Sequence, residues 1–383
     1  MFLIWAGFIL AVVLMLAIDL GVFHRKVHVI GVRESLAWSG VWIALALTFG
    51  VFIYFGYESH WLGLGMTPDS VERTNEFPKG TVNDGASAAM KYVTGYVVEK
   101  SLSVDNIFVI AMLFGFFAVS AIYQHRVLFW GILGAIVLRG VMIGVGAELI
   151  ARFAWILYVF GAFLIATAVK MLVLKTDHTD LNANIVVKLT RRFFPVTEQF
   201  HGQHFLVRAG SKQADEPEVP GSEIAAIDRS VKAAKPGTLM LTPLGLALIM
   251  IEFTDLIFAV DSIPAIFAIT ADPFLVFTSN IFAILGLRAL YFALAGAMQM
   301  FRYLKVSLAV VLGIVGGKML AHGWLKTTFG PNINVYLLVI VLLILAVGVV
   351  ASLIAGRHPA GMEGHTNHQD AGAHGAKGSR ASS

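Results

Sequence analysis

Long apolar runs, each bounded by charges or turn residues, recur along the chain at about 2–22, 38–57, 92–119, 127–148, 153–174, 239–269, 274–297, 304–324 and 333–355. A membrane-spanning helix needs about 20 predominantly apolar residues. In hydrocarbon every backbone N–H and C=O must be paired inside the segment, so runs of this kind read as transmembrane helices. The strict polar–apolar alternation of a membrane barrel is absent. The expected fold class is therefore all-α, a polytopic membrane helical bundle of about nine transmembrane helices. Composition agrees: 57% of residues are hydrophobic and 14% charged, against about 25% charged in a typical soluble domain. A disordered chain, a secreted disulfide scaffold and a soluble enzyme with a small core are excluded.

The lack of cysteine removes disulfides, CxxC redox chemistry, thiolate zinc sites and a cysteine nucleophile. The motifs GxxxxGK[ST], HExxH and GxSxG are missing, so neither an enzyme nor a prosthetic cofactor is expected. A formal charge of +4 reads as basic loops facing one side of a bilayer, with lipid and not nucleic acid as the partner. Arg25, Lys26 and Arg33 follow the first run, Arg126 the third, and Arg302 and Lys305 the seventh, whereas the loop after the second run is rich in acids. Positive-inside counting puts the N-terminus outside and the C-terminus in the cytoplasm, with Arg152 and Lys326 on the unfavoured side.

Six segments follow: 1–91, two spans and an acidic external loop; 92–175, a three-helix unit; 176–238, a cytoplasmic loop; 239–325, a second three-helix unit; 326–355, a last span; and 356–383, a tail. The loop mixes eight basic with eight acidic residues and reads as irregular, with one short helix near 223–234. The tail holds six Gly and His358, His365, His368 and His374 beside one large apolar residue, Met362, and is expected to be disordered.

The two three-helix units resemble one another. Glu99, Asp105 and Asn106 lie over Asp255, Asp261 and Ser262, each 156 residues on; Arg139 meets Arg288 after 149; Lys170, Met171 and Leu172 meet Lys318, Met319 and Leu320 after 148. Three spans separate each position from its counterpart. An odd number reverses direction through the membrane, so the repeats are expected to be inverted, as in many secondary transporters with a site between the halves.

Glu99, Asp105, Glu252, Asp255 and Asp261 all lie inside apolar stretches, and Asp19 ends the first. A charge at mid-bilayer costs roughly 3 kcal/mol or more, so this many acids need a compensating cause. Either Arg139, Arg288, Lys170 and Lys318 neutralise them, or they serve a function. Lys170 and Lys318 sit near span ends, where a lysine can snorkel to the interface. On a helix, residues six apart are roughly 120° around the axis and about 9 Å along it, so a straight helix cannot aim Glu99 and Asp105, or Asp255 and Asp261, at one ion. Pro264 suggests a kink or break that would free backbone carbonyls as ligands. With Asn106, Ser262, Ser103 and Thr254 the acids form an all-oxygen set suited to Mn²⁺, Mg²⁺ or Ca²⁺. The same carboxylates could exchange protons as a counter-ion.

These motifs resemble the TerC family of integral membrane proteins, on Glu99-x-x-Leu102-Ser103-Val104-Asp105-Asn106, Phe114-Gly115-Phe116-Phe117, Glu252-Phe-Thr-Asp255, Asp261-Ser262-Ile-Pro264, Thr278-Ser-Asn280 and Gly286-Leu-Arg288-Ala-Leu-Tyr291. Asp19-Leu-Gly21 and His24-Arg25 fit the first span of that family. The resemblance covers about 1–355 and is strongest toward Alx-like bacterial members. It implies a bacterial inner-membrane protein linked to tellurite resistance and manganese export, with Glu99, Asp105, Asn106, Glu252, Asp255 and Asp261 lining the cation path. Tellurite is an oxyanion poorly suited to acids, so that phenotype would be indirect. The competing expectation is a non-transporting scaffold for protein assembly or stress response, as in some plant relatives.

Overall fold

The computed structural model describes residues 1–21, 31–72, 81–153, 155–173, 185–211, 229–294, 304–321, 324–325 and 333–356. Its helices are α1 (Phe2–Gly21), α2 (Val32–Glu58), α3 (Gly85–Phe116), α4 (Ala121–Arg152), α5 (Ile156–Val173), α6 (Ile185–Phe193), α7 (Arg229–Ala233), α8 (Pro243–Phe267), α9 (Pro273–Leu285), α10 (Leu287–Leu294), α11 (Leu304–Leu320) and α12 (Ile333–Gly356). Two short antiparallel pairs join them: β1 (Pro68–Asp69) with β2 (Thr81–Val82), and β3 (Leu206–Arg208) with β4 (Leu239–Leu241).

Six of these elements are long and apolar enough to cross a bilayer: α2, α4, α5, α8, the α9–α10 unit and α12. Shorter apolar helices lie within α1 and α11. α3 is 32 residues long, but Glu99, Lys100 and Asp105 break its apolar run. The α9–α10 unit is the most enclosed, with 83% of its span buried against 22–39% for the other five, so its neighbours wrap it on nearly every side. α3 packs on α9 as α4 packs on α8, and α5 touches α8 as α11 touches α3. α5 and α11 cross most closely. A methyl group at Gly316 would lie 2.8 Å from the Gly161 carbonyl, so only small residues allow that approach.

Helix starts follow local chemistry. Asp84 caps α3 by accepting from Ser87 N (2.7 Å), and Thr242 caps α8 through Gly245 N (3.2 Å). Asp272 caps α9 through Phe274 N (3.0 Å), and Pro273 occupies the first helical position, where its missing N–H leaves no bond unmade.

Two expectations need correction. α8 does not break at Pro264 but runs through it to Phe267: the proline has no N–H for the Val260 carbonyl, yet the next turn still closes, with Ala268 N donating to the Pro264 carbonyl (3.0 Å). The interruption falls instead at Gly286, between α9 and α10, where a side chain would meet Trp42 and the Lys100 ammonium. The described parts of 176–238 hold more than one short helix: α6 packs beneath the first turns of α4 and α8, β3 pairs with β4 just beyond the segment, and Thr242 Oγ1 donates to the His204 carbonyl (2.7 Å). α7 lies within the helix expected near 223–234. The tail, its four histidines, and residues 22–30 lie outside the described residues.

Met1, residues 58–72 and 81–85, and the α8–α9 turn share one end of the bundle. There a buried polar knot ties them together. Asp69 accepts from Lys91 Nζ (3.1 Å), Ala271 N (2.8 Å), Val71 N (3.1 Å) and the Thr270 hydroxyl. Lys91 also donates to Asn83 Oδ1 (2.7 Å), and the Tyr57 hydroxyl donates to Asp272 Oδ2 (2.8 Å). The Asp69 and Lys91 side chains are completely enclosed, and removing one partner of a buried pair costs about 3–5 kcal/mol. Asp69→Ala is therefore expected to lower the thermal unfolding midpoint in detergent markedly and Asp69→Asn less. Equal midpoints for parent and Asp69→Ala would show that the knot carries no stability.

Candidate cation site

Polar contacts from three other helices converge on Arg139, in the middle of α4. Its side chain is 1% exposed. In hydrocarbon a guanidinium must find acceptors for all its donors, and this one draws them from three other helices. Nε and Nη2 form a fork on Asp255 of α8 (3.0 and 2.8 Å). Nη1 donates to Glu99 of α3, to Asn280 Oδ1 of α9 (3.0 Å) and to Ser262 Oγ of α8 (3.4 Å). Asn280 Nδ2 reaches back to the second Glu99 oxygen (3.4 Å). A planar fork meeting a carboxylate in two parallel bonds is the strongest geometry available to an ion pair.

The arrangement is an oxygen cage with a tethered cation inside it. Two carboxylates face one guanidinium, which leaves one formal negative charge over. The cage oxygens come from carboxylate, amide and hydroxyl groups, the donor types that hard divalent ions select.

The sequence-derived site residues separate into two groups. Glu99 and Asp255 are brought together. Asn106 is buried on α3, nearly two helical turns beyond Glu99. Glu252 points at α4 instead: its carboxylate lies so close to Gly134 that a methyl group there would stand 2.0 Å from Oε1. Its other oxygen is buried and has no hydrogen-bond partner among the described residues. Asp261 turns toward α5, accepting from Thr167 Oγ1 (3.2 Å). A continuous α8 thus sends Asp255 and Asp261 to different neighbours, as their six-residue separation requires. The side chains of Asp105 and Asp19 lie outside the described residues. Among the described residues no three Asp, Glu or His side chains gather at one point.

Of the basic residues, Lys170 is exposed, in keeping with snorkelling. Lys318 is not: it is 5% exposed and donates to the Ala268 carbonyl (3.1 Å) just past the end of α8. Arg288 is buried on α10, two residues past the Gly286 interruption. Asn280 and Lys100 were missed as site residues. Lys100 donates to the Ala283 carbonyl (3.1 Å) beside Gly286, and its presence mid-span was the available signal. Asn280 was equally visible as an amide inside the apolar run of α9.

Fold and site together define a polytopic helical membrane protein with an ionic cluster buried among its spans. The chain belongs to the TerC family: the integral membrane protein TerC family pattern matches residues 84–359, from the cap of α3 to just past α12, and so contains every residue of the cage. It is 42% identical over 355 residues to an uncharacterized membrane protein of Myxococcus xanthus, covering 93% of each chain. It is 44% identical over 319 residues to the Escherichia coli protein that carries the name membrane-bound redox modulator Alx, covering 83% of this chain and 85% of that one. An uncharacterized membrane protein of Rickettsia felis is 36% identical over 351 residues, covering 91% and 97%. No solved structure matches.

Losing the guanidinium would strand Glu99 without a counter-charge, at a cost of about 3–5 kcal/mol. Arg139→Leu is expected to lower the unfolding midpoint in detergent, and adding Glu99→Gln to recover part of the loss. An equally stable Arg139→Leu protein would mean that the pair contributes nothing to folding.

Proposed function

We propose that this protein exports a divalent metal cation, with Mn²⁺ as its preferred cargo, across the bacterial inner membrane. The observation that carries the reading is the oxygen cage around Arg139: buried oxygens from three helices, one negative charge in excess, and a cation that is tethered and so can be displaced but not lost. A divalent ion competing for Glu99 and Asp255 would find carboxylate, amide and hydroxyl oxygens already facing inward. Mn²⁺, Mg²⁺ and Ca²⁺ suit such donors, and the absence of cysteine disfavours softer metals.

In this reading the chain crosses the membrane nine times, α3 included, and α3–α5 and α8–α11 are inverted repeats. Support comes from the matched acids, arginines and lysines, and from contacts that recur when the two units are exchanged. The site lies between the halves, so rocking one against the other exposes it to alternate sides. The N-terminus is outside and the C-terminus cytoplasmic. Glu99 and Asp255 bind the cargo, Arg139 neutralises them between turnovers, and Asp105, Asn106, Glu252 and Asp261 line the route on either side. Protons are the counter-ion, and any effect on tellurite resistance follows indirectly from metal homeostasis. A redox role of the kind named for the relatives could not use a thiol of this chain, which has none.

The test is Mn²⁺ flux into proteoliposomes loaded with a Mn²⁺-quenched dye. Wild type should quench the dye. Glu99→Gln and Asp255→Asn should abolish the signal, as should Asp105→Asn and Asp261→Asn if they line the route, with each variant still inserted and folded. Absence of Mn²⁺, Mg²⁺ or Ca²⁺ flux in folded wild type, at any pH gradient, would overturn the proposal in favour of the scaffold.

A further inference from the structure

α6 belongs to the segment between the two units and has no part in the cage. At about 100° per residue its surface divides into three sectors. Val187 (1% exposed) and Thr190 (8%) face protein, and Val187 joins Tyr123 of α4, Phe200, Leu241 and Leu244 in one apolar cluster. Leu189 (50%) and Phe193 (69%), one turn apart, form an exposed apolar stripe that Phe194 extends. Lys188 and Arg192, also exposed, form a basic stripe about 100° away.

A helix turned to water on its outer side would carry polar residues over that whole arc. Here a large apolar stripe is instead set between the protein-facing and basic sectors. Through that cluster the helix lies against the first turns of α4 and α8, the starts of two helices long and apolar enough to cross a bilayer. The described segment 185–211 carries Lys188, Arg191, Arg192 and Arg208 against the single acid Glu198, a charge suited to an anionic surface.

We infer that α6 is an interfacial membrane helix, with Leu189 and Phe193 immersed at the headgroup–acyl boundary and Lys188 and Arg192 against anionic lipid headgroups of the leaflet where α4 and α8 begin. Such a helix needs one apolar face, one basic face and an orientation parallel to the membrane. By tying the 176–238 segment to the bilayer, it would fix the start of α8, whose cap is held by His204 and Phe205 of the same segment.

The natural absence of cysteine makes the test direct. Lys188→Cys, Leu189→Cys and Phe193→Cys proteins, each carrying one nitroxide, are reconstituted in phosphatidylglycerol–phosphatidylcholine vesicles. Collision with oxygen, which concentrates in acyl chains, is compared with collision with a water-soluble nickel chelate. The oxygen-to-nickel ratio should be several-fold higher at 189 and 193 than at 188. It should fall at 193 when Lys188 and Arg192 are both replaced by alanine, or when phosphatidylglycerol is omitted. Nickel-dominated collisions at 189 and 193 would overturn the inference in favour of a solvated face. Protection from both reagents would overturn it in favour of a protein partner or a second copy, and a ratio at 193 indifferent to charge would overturn the anionic-lipid assignment.

Discussion

Hydrocarbon offers a buried charge no solvent, so each one in this bundle must be answered by another part of the protein. Arg139 meets that demand by binding Glu99 and Asp255 together and by drawing Asn280 and Ser262 into the same cluster. The consequence is architectural as well as electrostatic. α3, α4, α8 and α9 cannot slide past one another without breaking a bond whose partners have no replacement. The polar knot around Asp69 and Lys91 applies the same logic at one end, pinning Asp69 and the Lys91 side chain of α3 to the α8–α9 turn.

Between apolar helices in lipid the hydrophobic effect supplies little attraction, and close packing must substitute for it. Glycines occur where that closeness is needed. Gly161 and Gly316 let α5 and α11 cross almost backbone to backbone, and Gly134 leaves room for the Glu252 carboxylate against α4. Gly286 ends α9 where Trp42 and Lys100 press in. The enclosed α9–α10 unit therefore reaches the centre of the bundle, and its Asn280 reaches the cage, because small residues permit the approach.

The candidate site was legible in part. Glu99, Asp255 and Arg139 stood out because a charge within an apolar run is costly, and that cost depends on the residue's own neighbours in sequence. Asn280 was visible in a motif yet was not recognised as a site residue, because its role depends on an arginine 141 positions away. Asp261 was already set apart from Asp255 by their six-residue spacing, whereas nothing in the sequence turned Glu252 toward Gly134 of α4. The order within 176–238 was hidden for a related reason. α6 is short, and β3 and β4 are separated by residues rich in charge and proline, so their pairing left little local trace.

The sequence by itself determined that the chain is helical, multi-spanning and acidic in its interior, because backbone pairing in hydrocarbon and the cost of a buried charge act locally and leave a direct mark on residue order. Only the tertiary structure decided which acids meet, which arginine holds them, and that the interruption lies at Gly286 and not at Pro264. Those outcomes depend on the rotation and depth of helices more than a hundred residues apart, which are set by how side chains interlock across the bundle and by no single stretch of sequence.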